Sequence, residues 1–265
     1  MTEVPSGEFK PTRVSLIVFG RGSLEQLKTK VAELGARRAL IVTVPPIVTE
    51  TGFVERIKGL LGESCAGVFS GVVQHVPRQC VIAGARAARE AGADMLISLG
   101  GSSTADAAKG INLALAEAET PEAFFARFDR AEFTAPGSLR ATEFTQPKLP
   151  FIAIPTTLSG GEFTAGAGIT DTVRKHKDVL YDDRVTARVV ILDPEMTVHT
   201  GRELWASTAM KSLADCFEVV CSARHQPFAD ALSLHAARLI NQYLLPSVAE
   251  PMDMGARALL QHAAG

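Results

Sequence analysis

Met95-Leu-Ile-Ser-Leu-Gly100-Gly-Ser-Ser-Thr-Ala-Asp106-Ala-Ala-Lys109 is the stretch on which the fold turns. Met95 to Leu99 is a short apolar run of the kind that forms a strand covered on both faces. Two glycines follow, and then Thr104 to Glu117, an alanine-rich stretch whose small residues let a helix lie close to a sheet. A strand, a tight turn and a helix in that order make half of a βαβ unit. The turn leaves helix-start amides facing outward beyond the end of the strand, which suits an anion. Adjacent glycines also fit a plain βα turn in which Ser102, Ser103 or Thr104 caps the helix, and spacing alone does not separate the two readings.

Outward from this unit the alternation continues. Val14 to Phe19, Ala39 to Thr43 and Gly67 to Phe69 read as strands; Leu24 to Leu34, Glu50 to Leu61 and Gln79 to Ala91 read as helices. Such an order calls for a parallel sheet wrapped by helices. Gly35 and Gly92 fall where a helix end needs positive φ, and Gly20 and Gly22 read as a turn before a helix because the third glycine of a dinucleotide fingerprint is missing. Between Thr120 and Pro150 the periodicity weakens and four prolines and glycines suggest a surface excursion. The core resumes at Phe151. Past Asp193-Pro194 the pattern is helical only, over Glu203 to Ser222, Phe228 to Leu245 and a third stretch from about Asp253. The simplest division is an α/β domain over residues 1–195 and the start of an all-α domain over 196–265.

Composition narrows the function. With 265 residues, 46% of them hydrophobic, the chain can bury a full core. A formal charge of −2 without long single-sign runs leaves no footprint for nucleic acid or an anionic membrane. No apolar stretch approaches the length of a membrane helix and residues 1–10 carry no signal core, so a cytoplasmic protein is expected. Cys65, Cys80, Cys216 and Cys221 lack the paired spacing of a zinc site and read as reduced, mostly buried thiols.

A second loop changes the weight of the first. Ile152-Ala-Ile-Pro155-Thr-Thr-Leu158-Ser-Gly-Gly-Glu162-Phe-Thr164 is a strand that ends in hydroxyls and glycines, suited to hydrogen-bonding a polar ligand at the strand's carboxyl end. The order Gly-Gly-Ser-Ser-Thr-Ala-Asp106-Ala-Ala-Lys109, then Pro155-Thr156-Thr157, then Asp193-Pro194 resembles the iron-containing alcohol dehydrogenase superfamily, with its dehydroquinate synthase-like fold, over nearly the whole chain. Phe69 to Pro77, with His75-Val76-Pro77, and the short loop Thr157 to Glu162 are similar to the maleylacetate reductase branch.

That resemblance implies NAD or NADP as cofactor, with Gly100, Gly101, Ser102, Ser103 and Asp106 at the diphosphate, Thr156, Thr157 and Leu158 beside the nicotinamide, and Lys177 reaching the cofactor. As plain sequence, Lys177 in Arg174-Lys-His-Lys177 is a solvated cation. Many relatives place an aspartate after the second strand, on the adenosine ribose; Val44 stands here, which leaves NADPH possible. In metal-dependent members an aspartate and, a turn later, a histidine ligate the metal, Fe or Zn, and those positions fall on Lys211 and Asp215. An ammonium has no lone pair to give, so a metal is in doubt. Later histidines would lie beyond Gly265, and His225, His235 and His262 read as core or surface residues.

Spaced i, i+4, Lys211 and Asp215 make an ordinary surface ion pair on one reading. On the other, Lys211 stands where the metal would be as a fixed cation, polarising a substrate carbonyl or binding a carboxylate while the cofactor delivers hydride. The expected function is an NAD(P)H-dependent reduction of a small carbonyl compound by a homodimer or larger assembly. A metal-dependent alcohol dehydrogenase and a non-catalytic dinucleotide-binding fragment are the alternatives. A helical domain shorter than the family's proportions should expose apolar helix faces.

Overall fold

The computed structural model describes residues 14–129 and 144–265. Six strands form one parallel sheet: β1 (Leu16–Phe19), β2 (Ala39–Val42), β3 (Cys65–Phe69), β4 (Met95–Gly100), β5 (Phe151–Pro155) and β8 (Val189–Leu192), in the order β1-β8-β5-β4-β2-β3. β2 is followed in the chain by its neighbour β3 on one side, whereas β4 lies on the other. In open α/β sheets a crevice opens outside the carboxyl ends where the order reverses in this way. The quoted turn after β4 sits at that reversal.

Period-two alternation divides the core. Leu40, Val42, Leu96, Phe151, Ala153 and Val190 face one side, with Val81, Ala85, Ala108 and Ile111 packed on them from α4 (Arg78–Glu90) and α5 (Ser102–Glu117). Ala39, Ile41, Met95, Ile97, Ile152 and Ile191 face the other, covered by Leu27 and Val31 of α1 (Leu27–Glu33) and by Phe53, Val54 and Ile57 of α3 (Phe53–Leu61). The strands β2, β4, β5 and β8 are buried on both faces, as a sheet between two helix layers requires, whereas Leu16, Ile17 and Phe19 of the edge strand β1 are exposed.

Three elements differ from the sequence expectation. The helix expected from Glu50 to Leu61 starts only at Phe53, as α3, because Gly52 takes φ +68 before it, and a separate helix, α2 (Pro45–Glu50), precedes it. The supposed surface excursion contains α6 (Pro121–Asp129), and Phe124, Phe125 and Phe128, together with Phe144, are buried in the core; residues 130–143 of that excursion lie outside the described residues. An antiparallel hairpin, β6 (Gly166–Asp171) and β7 (His176–Tyr181), stands apart from the main sheet and was not expected at all. Gly35 and Gly92 do take positive φ at their helix ends, as do Gly20 and Gly22 in their turn.

Beyond β8 come α7 (Arg202–Val220), α8 (Pro227–Ala249) and α9 (Met254–Ala263), with a small core of their own around Trp205, Leu239, Ile240 and Leu260. Leu158, from the loop after β5, is buried in that same core and ties the helices to the edge of the sheet. All four cysteines are free, but only Cys80 and Cys216 are buried; Cys221 is exposed. Among the described residues no helix is long and apolar enough to cross a membrane.

Candidate functional site

Glycines let the two loops meet. Gly100 turns the chain at φ +143, and a Cβ on Gly101 would lie 2.9 Å from Thr157 Oγ1. A Cβ on Gly161 would lie 3.0 Å from that of Ser102. The contact is polar as well as close: the Ser102 amide donates to Ser159 Oγ at 3.1 Å, and Ser159 Oγ is 3.0 Å from Thr157 Oγ1. No side chain caps α5; Thr104 Oγ1 donates instead to the Gly101 carbonyl at 2.7 Å. One of the expected open amides is therefore taken by Ser159, while that of Ser103 has no partner among the described residues. A helix start left this way attracts an anion.

Two cavities flank the loops. The first, of about 670 Å³, is lined by Gly101 to Thr104, Thr156, Thr157, Val44, Glu50 and His75. The second, of about 770 Å³, is lined by Ser102, Asp106, Lys177, Lys211 and Asp215. Ser102, Ser159 and Thr208 line both, so the cavities are halves of one cleft that pivots on the start of α5. A diphosphate fits at that pivot, where a backbone amide is open and the glycine turn brings bare backbone to the surface.

Of the residues singled out from sequence, Gly101, Ser102, Ser103, Thr156 and Thr157 line the first cavity and Asp106, Lys177, Lys211 and Asp215 the second. Gly100 shapes the turn from behind. Leu158 is set apart from both cavities; its backbone amide is held by Thr208 Oγ1 at 3.2 Å, and its carbonyl accepts from Ser212 Oγ. Sequence reasoning missed Ser159, Thr208 and Glu162. Ser159 was readable as one more hydroxyl in the loop, whereas nothing in the sequence marks Thr208.

Below the second cavity lies a buried ionic cluster. Lys109 is wholly buried and donates to the carbonyls of Gly161 at 2.6 Å and Gly166 at 2.9 Å and to Thr164 Oγ1 at 3.1 Å, so its ammonium pins the loop to α5. Burial lowers its pKa. Glu162, also buried, is pushed up to about 7 by desolvation, opposed by its own backbone amide and by the charges of Lys109 and Lys211. Asp106 is raised by burial in the same way, against Lys109, the Gly168 amide at 3.1 Å and Lys177.

Lys211 reaches from α7 to the Ser159 carbonyl at 3.4 Å and pairs with Asp215 on the next turn. Its side chain is 56% exposed, so it meets the cleft as a solvated cation. The donors here do not fit a divalent ion: Asp215 is already paired with an ammonium, which would repel a metal. Among the described residues no three His, Cys, Asp or Glu side chains are grouped to hold one. His225 pairs with Asp230, His235 lies beside Arg238 and His262 packs on the Phe19 ring, none of them in the lining of either cavity.

A reversing parallel sheet, a glycine turn at the reversal and a cleft spanning both sides of it define the class of α/β proteins that hold a dinucleotide at the carboxyl edge. The family model for iron-containing alcohol dehydrogenase matches residues 14–194, and the chain belongs to that family. It is 31% identical over 249 residues to an NAD-dependent methanol dehydrogenase from Bacillus methanolicus, covering 93% of this chain and 61% of that protein. It is likewise 31% identical over 256 residues to maleylacetate reductase 2 of Cupriavidus pinatubonensis, covering 97% and 60%. Among solved structures, sulfoacetaldehyde reductase from Bifidobacterium kashiwanohense in complex with NAD+ superimposes with a TM-score of 0.86 at 26% identity, over 98% of this chain and 65% of the other. The chain thus spans about three-fifths of the length of the curated relatives it matches.

Proposed function

We propose that this chain is the cofactor-binding and part of the catalytic portion of a reductase that adds hydride to a small carbonyl compound, an oxo acid of the maleylacetate kind or a simple aldehyde or ketone, using NAD(P)H. The observation that carries the reading is the single cleft: one half opens over the start of α5, the other holds Lys211, and Ser102, Ser159 and Thr208 are common to both. A relative that acts with NAD and a structural neighbour that holds NAD+ support it. In the same reading the boundary between α/β and helical domains falls at 195–196, and the protein works in the cytoplasm as a homodimer or larger assembly.

The nicotinamide, when bound, supplies hydride. The chain supplies position and charge. Gly101, Ser102 and Ser103 hold the diphosphate at the helix start, Thr156 and Thr157 fix the cofactor across the turn, and Asp106 with Lys177 borders its reactive half. Lys211 donates to the substrate's carbonyl or carboxylate oxygen, stabilising the negative charge that grows as the carbonyl is reduced. Asp215 holds that ammonium one turn away and keeps the pair in a fixed orientation.

Turnover with NADH or NADPH and carbonyl acids, before and after exhaustive chelation, tests this reading. Activity is expected to survive chelation and to fall on the order of a hundredfold in Lys211→Ala, the scale of losing one charge-stabilising donor. Loss on chelation with restoration by a divalent metal would contradict it, and so would full activity in the alanine variant.

A further inference from the structure

We infer that the cleft selects NADH over NADPH and that Glu50 is the residue that turns the 2′-phosphate away; the inference rests on the cofactor reading above. With the diphosphate at the start of α5, the dinucleotide has two ways to run. The half over β5 and α7 holds the groups that suit a reacting carbonyl, Lys177 and Lys211, and so takes the nicotinamide. The adenosine is left with the other half, over the ends of β2 and β3, walled by Val44, Pro46, Ile47, Glu50, Gln74 and His75; Thr156 and Thr157, which the family resemblance sets beside the nicotinamide, line this half where it meets the turn.

The charge of that wall decides which adenosine fits. A phosphate on the ribose brings nearly two negative charges, and sites that accept one commonly supply an arginine. Among the described residues lining this half there is no arginine or lysine; its nitrogen bases are His75 and His199. Glu50 is the one carboxylate in the lining. It ends the short helix that Val44 begins, so the acidic group missing directly after β2 is supplied from the far end of α2. Its carboxylate has no hydrogen-bond or ion-pair partner among the described residues, which leaves both oxygens free to accept from a ribose diol and to repel a phosphate.

The wall is also held in place. His75 and Val76 both take left-handed backbone, φ +64 and +49. For a β-branched valine this is a rare conformation that persists only when the surroundings fix it. Here Thr170 does so: its amide donates to the Val76 carbonyl at 2.8 Å and its hydroxyl to the His75 carbonyl at 2.6 Å. The hairpin of β6 and β7 thus braces the adenosine wall from outside, opposite α2.

Fluorescence titration of the full chain with NADH and with NADPH, for the native protein, Glu50→Gln and Glu50→Lys, reads the selection without need of a substrate. NADH should bind on the order of tenfold more tightly than NADPH, the gap closing as salt screens the carboxylate. It should shrink severalfold in Glu50→Gln and reverse in Glu50→Lys. Equal or tighter NADPH binding by the native protein would overturn the inference, as would a ratio unmoved by both substitutions, each with the cofactor reading intact. Binding of neither dinucleotide would overturn that reading and this inference with it.

Discussion

Gly168 shows how much of the site depends on what a residue lacks. A Cβ there would lie 2.2 Å from Lys177 Cε and 2.8 Å from its Nζ, and 3.4 Å from Asp106 Oδ2. Lys177 pairs in register with Thr170, so its side chain runs back across the hairpin over Gly168 toward Asp106. The crowded atoms are the free end of a flexible chain, which can swing away without moving backbone. Gly168→Ala should therefore keep the native fold and melting temperature while displacing Lys177, and weaken NADH binding severalfold in a fluorescence titration. Unchanged affinity would remove Lys177 from the cofactor's surroundings. In the sequence Lys177 is one cation in a basic run, and only the family resemblance singled it out. Glu162 was harder still to see: nothing in Gly160-Gly-Glu162-Phe-Thr tells that its carboxyl is buried beside Lys109, because the two are brought together by the loop's return over α5.

At the scale of elements, buried charge hid the hairpin. β7 carries His176, Lys177 and Asp178 in its first half, and Asp178 faces inward where an apolar residue would have shown the alternation. Asp171 and Asp178 are instead tied to Arg78 on α4, at 3.0 and 2.8 Å, and Arg174 closes the cluster from the turn. Arg174 and Arg78 hold the Asp171 carboxyl at about 2, well below the usual range. Arg78 also lies over the Phe125 ring, so this clamp binds α6 to the hairpin that braces His75 and Val76. Arg78→Ala would leave the buried Asp171 and Asp178 with Arg174 as the arginine they share, and should cost about 3 kcal/mol of stability in chemical denaturation. A loss below about 0.5 kcal/mol, the size expected of an exposed pair, would show that the clamp is not what fixes the hairpin. α6 escaped detection for a different reason: its phenylalanines precede a stretch punctuated by Pro136, Gly137, Pro147 and Pro150, and the helix is only nine residues long.

For the whole molecule, the alternation of strands and helices, the turn after β4 and the pairing of two loops were legible because each rests on local pattern and composition. The order β1-β8-β5-β4-β2-β3 was not, since nothing local says which strand neighbours which, and with the order went the two halves of the cleft and the place of Glu50 on one of them. The expected apolar helix faces are present: Phe217 on α7 and Phe228, Leu232, Leu234 and Leu245 on α8 are each more than half exposed. The central claim remains that a nicotinamide dinucleotide lies across the start of α5, and amide hydrogen exchange on the full chain with saturating NADH tests it most directly. Protection is predicted over Gly101 to Thr104 and Thr156 to Ser159, with the cavity at the opposite end of the sheet, around Lys148, Arg184 and Arg188, unaffected. Exchange that NADH leaves unchanged at both loops, or protection confined to that opposite cavity, would contradict it.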